Sequence, residues 1–320
     1  MKKNKRNAVL YKEMTVDMKR PKIMIIMLLI NLGLVPVALG FFGGNVIAGF
    51  FFSSSYRTIA WYFITMVYLE ALILVFLTPA ITAGSVSLEK ERQTLDVLLT
   101  TRMTPWEIIK GKYFSQLIFL ALMLVSTFPL LSLVFIYGGV SIWSMILVGV
   151  SLVVCIAFFA SFGVFFSALT KNTVLSVIIS YIVLFLYLYM TIFLPIFFVG
   201  GIEIINGILY EEIYTLQNEH LINGDIFCML GVLNPLVMIF DSVGNAIGYS
   251  FGDFSINGMA STLGVILPHF TEKNILLKLW TPISIVTELL ITYGMLRLSA
   301  VLLNPLKGKK KKKRKAVKKQ

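Results

Sequence analysis

Apolar runs alternate with short polar stretches along most of the chain. Six of them, at 23–44, 59–86, 113–137, 142–169, 173–200 and 279–303, are long enough to cross a bilayer as helices. The pattern therefore predicts an all-α integral membrane fold with six transmembrane helices. A further apolar stretch, Ile226 to Phe240, is too short to span and is interrupted by Gly231 and Pro235, so it reads as an interfacial or re-entrant segment. The first run carries no small-residue cleavage pattern, which predicts that it is kept as a helix.

Composition strengthens this reading. With 58% hydrophobic and 14% charged residues over 320 positions, the chain has more apolar surface than one soluble core could hide. The formal net charge of +12 would suggest nucleic acid in a soluble protein. Here most basic residues flank spans, where they act as orientation signals. Eight lie up to Lys22, five between Lys90 and Lys112, one at Lys171 and ten from Lys307 onward, all on one side if both termini are inside. The other side holds Arg57, Lys273 and Lys278. A seventh span would move the basic tail outside, so six spans with both termini cytoplasmic is the predicted topology.

The topology divides the chain into functional stretches. Residues 1–22 form a cytoplasmic leader in which Leu10, Met14 and Met18 recur at helical spacing, with Lys12, Glu13, Asp17 and Lys19 around the rest of the turn. This predicts an amphipathic interfacial helix ended by Pro21, or else a leader that only sets orientation. Residues 201–278 form a long extracellular loop with short helices, in which LNPLVMIFDSVG lies on or dips into the outer leaflet. Residues 304–320 are a basic cytoplasmic tail, which enforces topology or rests on anionic lipid.

The most highly charged stretch between two spans is the one between the second and third, at 88–112. If Leu88 to Leu99 is one helix, Glu89, Arg92, Gln93 and Asp96 share a face, and Leu88, Leu95, Leu98 and Leu99 gather on another. Next, Thr104-Pro105-Trp106-Glu107 has the pattern of a capping box, with Thr104 as N-cap, Pro105 at the first helical position and Glu107 reaching back to the free amide. A cytoplasmic helix, a short break and a capped helix running into a span form a means of handing force to a soluble partner.

Glu89, Glu91, Arg92, Thr94, Leu95, Asp96, Leu98 and Leu99 make an E-x-E-R-x-T-L-E-x-L-L-like segment after the second span. Thr104, Glu107, Ile108, Gly111 and Lys112 make a T-x-x-E-I-x-x-G-K-like segment at the start of the third. Together with the YKEMTVDMKRPK start, six spans and an Asn234-Pro235 pair before the last span, these residues resemble the permease subunits of the ABC-2 exporter superfamily. Gln93 departs from the pattern, since the family frequently has glycine there.

The resemblance implies a single transmembrane domain over 1–320 in a bacterial or archaeal plasma membrane. It implies a permease subunit of an ATP-driven exporter whose segment from Glu89 to Leu99 docks on a separate ATP-binding subunit, beside a second permease subunit, identical or related. ATP and magnesium then belong to the partner subunit, and no cofactor is expected on this chain. The residues agree, because Gly111-Lys112-Tyr113 lacks both the upstream glycine and the hydroxyl residue of a phosphate-binding loop.

Other chemistry has less support. Cys155 and Cys228 are too far apart in this topology for a disulfide or metal framework, and His220 and His269 lack the spacing of a metalloprotease helix. With no Asp or His in the spans, intramembrane catalysis has no candidate base, and the chain reads as no enzyme. Glu70 and Glu288 lie inside apolar runs, where carboxylates are costly. They line a possible substrate path or relay protons, or they sit near the interface hydrogen-bonded to Ser or Thr. An ion-gradient-driven secondary transporter with Glu70 and Glu288 as coupling sites is the alternative reading. It leaves the 88–112 motif unexplained. Arg297 is expected to snorkel to the cytoplasmic surface.

The topology can be read directly. In a background lacking Cys228, Glu212→Cys is expected to react with an impermeant thiol reagent on intact cells, and Gln93→Cys is not. Equal labelling at both positions would rule out the six-span arrangement.

Overall fold

An apolar segment in a bilayer has no water to satisfy its backbone, so it must close its own hydrogen bonds, and a helix does this within one segment. The computed structural model describes residues 8–17, 21–49, 56–100, 103–136, 140–212, 229–247 and 279–303, and among them every regular element is helical. In chain order the helices are α1 (Ala8–Asp17), α2 (Pro21–Gly49), α3 (Tyr56–Thr82), α4 (Ser87–Glu91), α5 (Leu95–Thr100), α6 (Pro105–Ile136), α7 (Ile142–Leu169), α8 (Thr173–Glu212), α9 (Pro235–Ile247) and α10 (Trp280–Leu302). A 3₁₀ turn at Met229–Leu233 precedes α9.

Five stretches among the described residues are long and apolar enough to cross a membrane. They are Trp61–Glu91, Pro105–Val134, Ile142–Leu169, Thr173–Pro195 and Trp280–Leu302, while Met24–Gly40 within α2 is a shorter apolar helix. The protein is thus a multi-pass helical membrane protein. Two details differ from the pattern-based expectation. Helix α8 runs on to Glu212, well into the 201–278 stretch expected as loop. And α9 is a wedge between spans, with Pro235, Val237, Met238, Ile239, Asp241, Val243 and Ile247 buried. Its apolar side packs against α7, α3 and α10, so only part of LNPLVMIFDSVG could meet a leaflet. The remaining loop residues, the tail and His220, His269 and Cys228 lie outside the described residues.

Helix α7 occupies the centre. It touches α3, α4, α6, α8, α9 and α10, and most of its length is buried. A helix that is apolar all round suits such a place. Its small residues let neighbours approach. At Gly163 a methyl group would stand 1.9 Å from Thr82 Oγ1, 2.9 Å from Thr82 Cβ and 3.2 Å from the Ala83 amide nitrogen, so α3 crosses α7 with no room for a side chain. Ser141 opens α7 by accepting the Ser144 amide at 3.1 Å.

The last span is built the other way round from a soluble helix. Its buried positions are Trp280, Thr281, Ser284, Glu288, Thr292, Leu296 and Ser299, while Val286, Leu289, Leu290, Leu298, Val301 and Leu302 are exposed. Apolar solvent outside reverses the usual rule, and the polar stripe turns inward against α7.

The crossing at Gly163 generates a test. Gly163→Ala is expected to destabilise the protein by about 1–3 kcal/mol through overpacking, read as a lower thermal unfolding midpoint in detergent. Thr82→Ala should recover part of that loss, because it removes the nearest atom. Full stability of Gly163→Ala alone would contradict the close crossing.

Candidate functional site

The residues between the second and third long helices form two helices and not one. Helix α4 ends at Arg92, and Gln93 takes a left-handed backbone with φ of 58°. The Gln93 amide donates to the Lys90 carbonyl at 3.2 Å and the Thr94 amide to the Glu89 carbonyl at 2.9 Å. This pair of bonds is a Schellman closure, in which the residue after the C-cap adopts the conformation that glycine accepts most readily. The position at which the resemblance leads one to expect glycine is thus the position where this backbone turns left-handed. Glutamine holds it at a cost of about 1–2 kcal/mol.

The break redistributes the side chains that one continuous helix would have aligned. Leu95 is buried, and Leu98 and Leu99 pack beside it on a cluster of Val86, Ile108, Ile109, Tyr113, Val164 and Leu296. Leu88, expected on the same apolar face, is instead exposed, since it belongs to α4 and α4 points differently. Helix α5 carries Asp96, whose side chain lies outside those described. Arg92, Gln93 and Thr94 are exposed together at the turn.

Helix α4 itself is held at both ends by the spans. Ser167 of α7 accepts from the Val86 and Ser87 amides, each at 2.8 Å, so a hydroxyl from another helix caps the α4 N-terminus. Lys90 donates to the carbonyls of Ala168 and, at 3.0 Å, of Thr170, satisfying the end of α7. Glu91 accepts from the Thr173 hydroxyl at 2.7 Å, at the first turn of α8.

Glu89 turns inward. Its carboxylate meets Lys112 Nζ at 2.7 Å, and the same ammonium meets Glu13 of α1 at 2.9 Å. Lys112 is only 3% exposed, so this charge needs both partners to balance its desolvation. Thus α1, α4 and α6 converge on one ammonium, and the face of α1 bearing Leu10, Glu13 and Met14 is half-buried against α6 while Tyr11 and Thr15 are exposed. At the head of α6 the Thr104 amide donates to Glu107 Oε2 at 2.8 Å, and the Glu107 amide to Thr104 Oγ1 at 3.3 Å.

Glu70 and Glu288 are not brought to one place. Glu70, in α3, is buried and accepts a hydrogen bond from Thr127 of α6. Glu288 is fully buried on the inward stripe of α10, and neither of its carboxylate oxygens has a partner among the described residues. One turn to either side, the Ser284 and Thr292 hydroxyls are also buried and without partners among the described residues. Sequence reasoning picked out Glu288 alone. The four-residue spacing of Ser284, Glu288 and Thr292 carried the signal for the rest of the stripe.

At the opposite end of the bundle, Asn234 accepts the Leu236 amide at 2.9 Å and donates to Thr191 Oγ1 at 2.6 Å, so one side chain caps α9 and ties it to α8. The Tyr187 hydroxyl donates to the Leu233 carbonyl at 2.6 Å. Asp241 of α9 accepts from the Thr281 hydroxyl at the start of α10.

Several long apolar helices round a buried central one, with a short polar helix clamped at one end, make a multi-pass membrane protein. A family model described as ABC-2 family transporter protein matches residues 7–297, and the chain belongs to that family. It is therefore the permease component of an ABC transporter, which works with an ATP-binding subunit. Comparison with individual curated proteins finds no match.

The left-handed turn makes Gln93 diagnostic. Gln93→Gly should match or exceed the wild type in thermal unfolding. Gln93→Val should unfold more easily by about 1–2 kcal/mol, because a β-branched residue fits φ above zero poorly. A Val variant as stable as the wild type would mean that the turn is not held in this conformation.

Proposed function

We propose that this chain is the permease half of an ATP-driven exporter with six spans and both termini in the cytoplasm of a bacterial or archaeal cell. It pairs with a second permease subunit, and the exposed turn at Arg92, Gln93 and Thr94, with Leu88 beside it, receives the ATP-binding subunit. The observation that carries this reading is the clamping of α4. Ser167, Lys90, Glu91 and Glu89 fasten one short helix to α7, α8, α6 and α1 at once. A push on its exposed side would therefore be passed to four other helices.

The division of labour within the motif supports the same reading. Leu88, Arg92, Gln93 and Thr94 form the outward surface offered to the partner. Glu89, Lys90, Glu91 and Leu95 hold that surface on the bundle, with Leu98 and Leu99 partly buried beside Leu95. The Thr104–Glu107 cap starts α6 where the force enters it. ATP and magnesium are bound by the partner, which supplies hydrolysis while this chain supplies the moving path.

Within the bundle, the stripe of Ser284, Glu288 and Thr292 is the better candidate for a polar surface along the substrate route. Its groups are held at helical spacing without competing bonds among the described residues. Glu70, already bonded to Thr127, serves as a link between α3 and α6. Opening between α7 and α10 during alternating access would expose the stripe, since these two helices share an extensive contact.

Arg92→Glu tests the docking surface without touching the internal clamp. The variant should insert and fold normally, because Arg92 is exposed. It should recover less ATP-binding subunit on co-purification, by tenfold or more if a like-charge contact costs several kcal/mol. Unchanged recovery together with normal ATPase activity of the complex would remove the turn from the coupling surface.

A further inference from the structure

At the end of the bundle that carries α4 and α5, two cations meet over one aromatic ring. The Arg297 guanidinium of α10 lies 4.5 Å from the Trp106 ring centroid, and Lys110 Nζ of α6 lies 4.9 Å from the same centroid. Arg297 also lies 5.1 Å from the Tyr293 ring and donates from Nε to the Tyr293 hydroxyl at 2.7 Å. Trp106 and Tyr293 meet edge to face at 6.0 Å. Attraction to ring faces places the two charges without neutralising them.

Neither cation forms an ion pair among the described residues, where Glu13 and Glu89 pair with Lys112 instead. The nearest acidic residue in sequence, Glu107, has its Oε2 on the Thr104 amide. Both cations are exposed, so the patch presents net positive charge outward. Beside it run exposed apolar residues that continue along the spans. Phe114 lies one turn beyond Lys110, and Tyr293, Leu290 and Val286 lead away from Arg297.

We propose that Lys110 and Arg297, set around Trp106 and Tyr293, bind the phosphate of an anionic phospholipid. The acyl chains would lie along Phe114, Leu290 and Val286. Arginine and lysine suit a phosphodiester in different ways, one by its planar fork and the other as a point charge. Indole and phenol rings favour the headgroup level, where one end is apolar and the other wet. The stacking also alters the role of Arg297: it is held between α6 and α10 and does not simply reach for water. A bound lipid would bridge the helix that receives force and the helix that carries the polar stripe.

Native mass spectrometry of the full chain, purified with its ATP-binding subunit and titrated with phosphatidylglycerol or phosphatidylcholine, tests the site. The wild type is expected to retain phosphatidylglycerol in preference to phosphatidylcholine. Lys110→Gln and Arg297→Gln are each expected to lower that retention about fivefold, at roughly one interaction's worth per charge. Arg297→Lys should keep most of it. The basic tail is common to all variants and cancels from the comparison. If Arg297→Gln loses the stack and folds poorly, Lys110→Gln decides alone, since Lys110 is exposed. Retention that is equal across variants, or equal for the two lipids, would overturn the proposal. So would variants that keep phosphatidylglycerol but lose the ATP-binding subunit, because the patch would then be a protein contact.

Discussion

The fold depends on the burial of α7. A helix lodged among six neighbours keeps little outer face, an exposed row of Trp143, Ile146, Val150 and Val153 in its first half, so its sequence is apolar or small nearly throughout. Each neighbour then takes its position from what α7 allows. Gly163 admits α3 at backbone distance, Ser167 caps α4, and the carbonyls at its end receive Lys90. The inward stripe of α10 rests against it as well. Because α7 carries both the packing and the polar contacts that hold α4, a change in its position is felt by almost every helix of the bundle.

The two ends of the molecule solve different problems. At one end, the short helix α4 must be fixed to the spans, and charge-assisted bonds from Lys90, Glu91 and the buried Lys112 do this. At the other, α9 must seal against the bundle without a span's length of its own. Asn234 does so with one amide that serves both as helix cap and as a tie to Thr191, and Tyr187 holds the preceding turn. Directional polar bonds are dense at the ends. Between them a few cross-helix bonds, Glu70 with Thr127, Asn31 with Ser126, Tyr62 with the Leu130 carbonyl and Tyr113 with the Ala157 carbonyl, join a middle otherwise held by dispersion and shape.

Much of this was legible in the pattern of residues. Bilayer thickness forces long apolar runs, so the helical character of α3, α6, α7, α8 and α10 could be read from length and composition. Thr104 and Glu107 were readable because a capping box is local. The break at Gln93 was not, since glutamine carries no turn signature and its left-handed backbone is imposed by the closure of α4. The same break overturned the shared faces expected of Leu88 and Glu89. Lys112 and Glu13 are far apart in the chain, and only the packing of α1 on α6 brings them together. Ser284 and Thr292 were passed over because hydroxyls are inexpensive in a membrane helix, and their significance comes from lying on the same face as Glu288.

The contact between Gly163 and Thr82 lies close to one end of α7. About six residues of helix separate it from Leu169 and about twenty-one from Ile142, giving unequal arms of roughly 9 and 31 Å at the usual rise. Atoms at zero clearance resist sliding but leave rotation comparatively free, so this crossing has the properties of a fulcrum. Any tilt of α7 about it moves the distant end roughly three times as far as the end where α4 is fastened. A displacement of α7 near Ser167 would thus be matched by a larger one at the Ile142 end of the same helix.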